Sequence, residues 1–367
     1  MGLFSWLGKG NRPEAPSDPA EPESAEDTIE ELAEAIASPN GAARVDAARV
    51  LIERWRTGDV QAADALVSRL PGLFEDDEPQ VRVAALAAVR MMRKPENLER
   101  HASAVLALLA DRVAQVRTAA VWTAARLPGD VARQQVRALL ESTEEPMRFA
   151  AACALSDQGD AAALPELTAA LREDYRRQEA LSSILSLGNP GAIPALVELF
   201  EEESLGEFDR TMTAAALARV GDSRGVAHLL ERLSSDGDDR PIAAEWVGRL
   251  GIADATPILE DLAEAQGDPA RGAALRALGR LGAAGARERL SAIAMSPDEP
   301  DDLRMDAAEG LAEIGTAAAV ETLRGLARGE GELGSLCNEL LAEIAANAAS
   351  GDGRAAPASG TSSESTS

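Results

Sequence analysis

The sequence predicts an all-α fold, a right-handed α-solenoid of nine to ten stacked helical hairpins. Three observations carry that prediction. Arginines recur every thirty-odd residues, and each opens a short apolar pattern at helical spacing. Glycine closes most of those patterns. Hydrophobic residues make up 46% of the 367 residues while aromatics make up only 3%, so Ala, Leu and Val supply most of the apolar content. That composition suits closely packed helices, whereas a β-sandwich or barrel draws on Val, Ile, Thr and aromatic residues.

The chain begins MGLFSWLGKGNR. Its few apolar residues precede its positive charges, so it does not read as a secretory signal. Trp6 stands where a myristoylation signal wants Ser or Thr. Leu3, Phe4, Trp6 and Leu7 are bulky and Lys9 is basic, so residues 1–9 suit a docking element or a frayed tail, and membrane contact is expected only weakly through them. Residues 13 to 31 then hold eight acids and no base, interrupted by Pro13, Pro16, Pro19 and Pro22. Such a stretch buries too little apolar surface to offset its ordering entropy and reads as a disordered linker. We therefore divide the chain into an acidic Pro-rich tail (1–27), a solenoid (28–346) and a Gly/Ser/Ala-rich tail (347–367). No segment reaches the roughly 20 apolar residues needed to span a bilayer, and a cytoplasmic protein is expected.

Within the solenoid the marker arginines are Arg44, Arg82, Arg117, Arg148, Arg177, Arg210, Arg240, Arg271 and Arg304. Three residues after each stands Ala or Thr, from Ala47 to Ala307. Seven residues after each stands Leu, Val, Ala or Ile, from Leu51 to Leu311. Offsets of three, four, seven and ten share one helical face. Eleven residues after six consecutive arginines comes Gly159, Gly188, Gly221, Gly251, Gly282 or Gly315. Glycine there is a helix stop, because it enters the left-handed region without strain. A second apolar helix precedes each arginine helix. Pro165, Pro194 and Pro257 stand near the front of three of these, where a missing N–H costs little. Gly334 takes the place of an arginine in a degenerate tenth unit ending at Leu340, Leu341 and Ile344, as suits a terminal cap.

Helix–turn–helix units with a front proline and a V-R-x-x-A-x-x-A-L pattern resemble HEAT repeats, in particular the short HEAT-like type also found in phycobilin lyases. Val81 to Val89, Val116 to Ala124 and Arg271 to Gly282 are good copies. The resemblance spans about residues 28 to 346. It implies the architecture rather than a chemistry. HEAT-like units also place an Asp before the second helix. Asp76, Asp111 and Asp298 fit, each six residues before its arginine, but Ser, Ala or Leu stands there elsewhere. An Asp–Arg ladder is therefore expected to be broken. The aligned arginines themselves are read as structural, bonding neighbouring carbonyls and carboxylates along the stack.

Binding candidates lie five and nine residues after each marker arginine, on the side of the second helix turned from the core. Arg219, Arg249, Arg276 and Arg280 cluster there on units six to eight, in a chain whose formal net charge is −26. Arginine forks suit the carboxylates of an acidic partner segment. The competing reading pairs these arginines with Glu245, Glu309 and Glu313 as solvated surface. Trp122 and Met91 mark a second patch on units two and three. An outward Trp is favoured at binding hot spots, and packing under the longer early connections is the alternative. Trp55 and Trp246 sit nearer the stacking face and are expected in the core.

Enzyme signals are scarce. His101 and His228 are the two histidines and lie about four units apart, so neither a triad nor a metal cluster is expected. Neither is followed by Glu, which excludes the HEAT-repeat hydroxylases that bind iron through His-Glu pairs. Gly329, Gly331 and Gly334 spell GxGxxG without a preceding strand and read as a loop. Cys153 and Cys337 are far apart, and no disulfide framework is implied. The acidity argues against nucleic-acid binding. The expected function is a non-enzymatic scaffold or adaptor for another protein, with no cofactor. A phycobilin lyase-like subunit acting on a cofactor-bearing partner is the alternative.

Overall fold

A computed structural model describes residues 27–349. The apolar start, the rest of the N-terminal tail to residue 26 and the C-terminal tail from residue 350 lie outside the described residues. Those described form 21 α-helices and no strand, in two compact units divided along the chain between Gly191 and Ala192.

The first unit holds α1 (Ile29–Ala35), α2 (Gly41–Arg56), α3 (Val60–Val67), α4 (Leu70–Phe74), α5 (Pro79–Met91), α6 (Pro95–Ala107), α7 (Ala114–Ala124), α8 (Asp130–Ala138), α9 (Glu145–Ser156), α10 (Leu164–Ala170) and α11 (Asp174–Leu187). These make five hairpins, with the first helix of the second hairpin broken into α3 and α4. The marker-arginine helices α2, α5, α7, α9 and α11 pack side by side in chain order. The second unit holds α12 (Ile193–Phe200), α13 (Glu207–Arg219), α14 (Ser223–Ser234), α15 (Arg240–Leu250), α16 (Thr256–Glu264), α17 (Arg271–Leu281), α18 (Ala286–Met295), α19 (Asp301–Ile314), α20 (Ala317–Leu326) and α21 (Glu332–Ala349). Its five hairpins likewise line up α13, α15, α17, α19 and α21.

The expected core face is the observed one. Every residue three after a marker arginine, from Ala47 to Ala307, is at most 2% exposed, and so is every residue seven after. Small residues at the first position let neighbouring helices approach, and the larger residues at the second fill the space between them. All six stop glycines adopt positive φ, between 58° and 91°. Pro165, Pro194 and Pro257 occupy the first turns of α10, α12 and α16.

The acidic run differs from its reading as linker up to residue 31. Thr28 caps α1, its hydroxyl accepting from the Glu31 N–H at 3.2 Å while Glu31 accepts from the Thr28 N–H at 2.8 Å. Glu30 and Glu31 thus stand in the first turn of a helix, where carboxylates oppose the positive end of the helix dipole. At the other end α21 runs on to Ala349. The GxGxxG residues straddle the turn between α20 and α21, with Gly331 at positive φ.

The marker arginines form a ladder that is more continuous than the six-residue Asp spacing implies. Five of them, Arg44, Arg82, Arg117, Arg148 and Arg177, donate to the carbonyl six residues upstream, at 2.7–3.1 Å. Several also reach forward to an acid of the next hairpin. Arg44 binds Asp76 through two bonds of 2.8 Å, Arg82 binds Asp111 at 2.7 and 2.8 Å, and Arg271 binds Glu299 at 2.7 and 2.8 Å. Arg117 reaches Glu144, and Arg240 reaches Asp268 at 2.7 Å. The acid occupies one spatial slot but sits at different sequence distances, because the turns between helices differ in length. Asp298 has no such bond, and its neighbour Glu299 takes the role.

Candidate protein-binding site

The second unit brings three of the candidate arginines together, and the reason is how closely α15, α17 and α19 approach. A Cβ placed on Gly248 of α15 would lie 2.7 Å from the Ala277 Cα of α17. One on Gly279 of α17 would lie 2.4 Å from the Gly310 oxygen of α19. Helices this close leave no room for side chains at the contact. Polar residues flanking it meet their counterparts on the next helix.

Glu245 stands at the middle of the resulting cluster. It is only 2% exposed, although five residues after Arg240 was expected to point outward. One of its oxygens accepts from Arg249 Nε at 2.7 Å and from Arg280 at 2.6 Å. Its other oxygen lies 3.5 Å from Arg276 Nε. Burial opposes the charge on Glu245, but Arg280, Arg249 and Arg276 outweigh it and hold the carboxyl below its usual range. Arg280 also donates to Glu313 at 3.0 Å, and Arg276 contacts Asp306 and lies 3.7 Å from Glu309. Arg249 rests over the Trp246 ring, 5.6 Å from its centre. A buried carboxylate thus orders three guanidinium groups along three consecutive helices, with partial exposure left to each. Arg219, in the last turn of α13, is exposed and has no ion pair among the described residues.

Asp306 responds differently from Glu245. Burial pushes its carboxyl up to about 6 even against the Arg276 charge, and Glu309 and Asp302 add to the rise. A raised native value means that the folded state holds the proton more tightly than the unfolded chain does. The stabilisation is complete below about pH 4 and is lost as pH rises through about 6. Urea unfolding at pH 4, 5, 6 and 7 is expected to show wild type losing stability relative to Asp306→Asn across that window. Parallel curves for the two proteins would remove Asp306 as the source.

In the first unit, Trp122 (α7) and Met91 (the last residue of α5) are both half-buried, so each presents part of its side chain to solvent. Trp246 is core, 7% exposed, with its N–H donating to the Met212 sulfur at 3.2 Å. Trp55 differs from the expectation. It is half-buried, because α2 has a neighbouring second helix, α5, on one side only among the described residues.

The remaining chemistry-bearing side chains pack as structure. His101 is buried against Phe74, with ring centres 5.9 Å apart, and His228 meets Phe200 edge-on at 5.2 Å. Burial lowers the pKa of both histidines. Burial pushes the Cys153 thiol up to about 12, so it is held protonated. No three His, Cys, Asp or Glu side chains among the described residues are grouped to hold a metal ion. No helix among them is long and apolar enough to cross a membrane.

One protein-family match agrees with this architecture. Residues 102–184, from α6 to α11, match the model of HEAT repeats. No curated protein sequence matches the chain. Among solved structures, an engineered protein is 21% identical, covering 86% of this chain and 98% of its own, with a TM-score of 0.37. Human deoxyhypusine hydroxylase bound to glycerol is 20% identical, covering 68% of this chain and 97% of its own, with a TM-score of 0.29. A structure of Kap95p with RanGDP is 13% identical, covering 92% of this chain and 53% of that one, with a TM-score of 0.41.

Proposed function

We propose that the chain is a non-enzymatic scaffold that offers the exposed side of its marker-arginine helices to another protein. The observation that carries this reading is the Glu245 cluster. A buried carboxylate holds Arg249, Arg276 and Arg280 in fixed, partly exposed positions. Ordering long side chains before a partner arrives lowers the entropy cost of binding them. Their remaining donors suit carboxylates on a partner segment, which would share the arginines with Glu309 and Glu313. Trp122 and Met91 supply an apolar anchor in the first unit, and Arg219 adds an exposed charge in the second. The candidate partner is thus a protein bearing acidic side chains, in the cytoplasm.

A role beside a cofactor-bearing protein, as the resemblance to the lyase repeats implies, calls for a groove that encloses a bulky tetrapyrrole. The depressions at the hairpin ends, one bordered by Arg287, Ile314 and Thr316 and another by Ile36, Arg69 and Pro71, are open rather than enclosing. That geometry favours contact with a surface.

Affinity capture with mass spectrometry tests the reading. Arg249→Glu with Arg280→Glu, and separately Trp122→Ala, are compared with wild type after a circular-dichroism melt shows each variant folded. Loss of the same captured protein in either variant is expected. Unchanged capture by both would remove these residues as the binding surface.

A further inference from the structure

Acids pair with three clustered arginines of the second unit, whereas one cationic face of the first unit has no ion pair among the described residues. Arg90 and Arg126 lie in or just after the last turns of α5 and α7, with exposed side chains. The packing of these helices fixes their register, since the Thr123 hydroxyl of α7 lies 3.4 Å from the Leu86 oxygen of α5. One turn further along each helix, that register sets Arg90 beside Arg126. Loss of hydration around the guanidinium and then the Arg126 charge both depress the Arg90 pKa. Arg93 and Lys94 follow in the turn after α5, both exposed. None of these four cations has an ion pair among the described residues. Asp157 of the next second helix, carried alongside by the Gln158 bond to the Ala125 oxygen at 2.6 Å, makes no ion pair with Arg126. Met91 follows Arg90 directly in the chain, and Trp122 precedes Arg126 by about one helical turn.

Two like charges side by side, in a chain with 62 acids against 36 bases, leave a local demand for carboxylate. The chain carries its own supply. Residues 13–26 hold Glu14, Asp18, Glu21, Glu23 and Glu26 without a base. They enter the solenoid at α1, the partner of α2, and α7 is the second neighbour of α2 along the row. Two helix spacings amount to roughly 20 Å, and fourteen extended residues reach roughly 45 Å. We propose that the Arg90–Arg126 face is the docking surface for this chain's own acidic segment, residues 13–26, which competes there with acidic partners. The tether keeps the segment at an effective concentration near millimolar, so even weak ion pairing fills the face. This rests on the reading of the face as a protein-binding surface, but it is tested with no partner present.

The test places a benzophenone side chain at Ala20 of the full-length protein. Irradiation is followed by mass-spectrometric mapping. Cross-links within one chain to α5 or α7 are expected, with Met91 and Trp122 as acceptors. Their yield should fall about tenfold in Arg90→Glu with Arg126→Glu, and again at 0.5 M salt. Neutralising Asp18, Glu21, Glu23 and Glu26 to their amides should do the same without touching the solenoid. Cross-links elsewhere, between chains or absent, or yields indifferent to both sets of substitutions, would overturn the proposal. Failure here would leave the partner-capture result standing on its own.

Discussion

Asp111→Ala is expected to lower the unfolding free energy of the first unit by about 3–5 kcal/mol, the range for removing one partner of a buried ion pair. Arg82 and Asp111 have side chains only 5% and 7% exposed. Two bonds of 2.7 and 2.8 Å join them across hairpins, and Asp111 also accepts from the Val113 N–H at 2.7 Å, at the start of α7. The alanine variant leaves a buried guanidinium without its carboxylate and an uncapped helix start. The carbonyls of Asp76 and Asp77 still hold one Arg82 nitrogen, which keeps the loss within the stated range. Asp301→Ala is the control. Asp301 binds Arg304 at 2.7 Å with its side chain 77% exposed, so its loss should be at most about 1 kcal/mol. Hydrogen exchange should show the Asp111 effect on α5 and α7 first, since a repeat stack transmits strain through nearest neighbours. The pH sign follows from the Asp111 pKa. Burial raises it, but Arg82 and the Val113 N–H lower it further, so the net value is depressed. The contribution is therefore present above about pH 4 and fades as pH falls below it. Equal losses from the two alanine variants would mean that burial does not set the strength of the ladder.

The ladder also shows which parts of the molecule were legible in the sequence. The core face was readable, because helical geometry alone places Ala47 and Leu51, or Ala274 and Leu278, on one side of their helix. The stops were readable because a left-handed residue at that point favours glycine. The forward acids were harder to see. Asp111 precedes its own arginine by six residues, Glu144 by four and Asp268 by three, so an alignment in sequence misses a slot that is constant in space. The candidate site was legible only in outline. Offset counting brought Arg249, Arg276 and Arg280 to one row, yet it set Glu245 among them as surface. Its burial depends on how closely the next helix approaches, which one helix viewed alone does not specify. A signal was present in Gly248 and Gly279, each eight residues after its marker arginine inside an otherwise good helix. An interior glycine costs about 1 kcal/mol relative to alanine, so it marks a place where something else needs the space. The Arg90–Arg126 pair was missed for a related reason. Arg90 stands at offset eight, beside the offsets taken as outward, and its position opposite Arg126 depends on the register between α5 and α7.

That space gives the second large effect. Gly279→Ala is expected to destabilise the second unit by about 2 kcal/mol, although alanine is the better helix former. The added methyl would lie 2.4 Å from the Gly310 oxygen and 2.7 Å from its Cα. Both are backbone atoms, so no side chain can swing aside, and α17 and α19 must separate. Gly325→Ala in α20 makes the same chemical change with nothing within 4 Å of the new methyl, and should stabilise by about 0.5–1 kcal/mol. Opposite signs in parallel urea titrations would show that contact between second helices sets the cost. The separation carries a consequence for the candidate site as well. Arg280 bridges Glu245 and Glu313 on either side of α17, and Arg276 joins Glu245 to Asp306. Moving α19 outward lengthens the bonds to Glu313 and Asp306 while exposing Asp306 to water. The burial that raises its carboxyl would weaken, and the fall in stability between about pH 4 and 6 should shrink in Gly279→Ala while persisting in Gly325→Ala. A Gly279→Ala protein as stable as wild type, with that pH response intact, would mean that the helices can part without disturbing the arginine cluster.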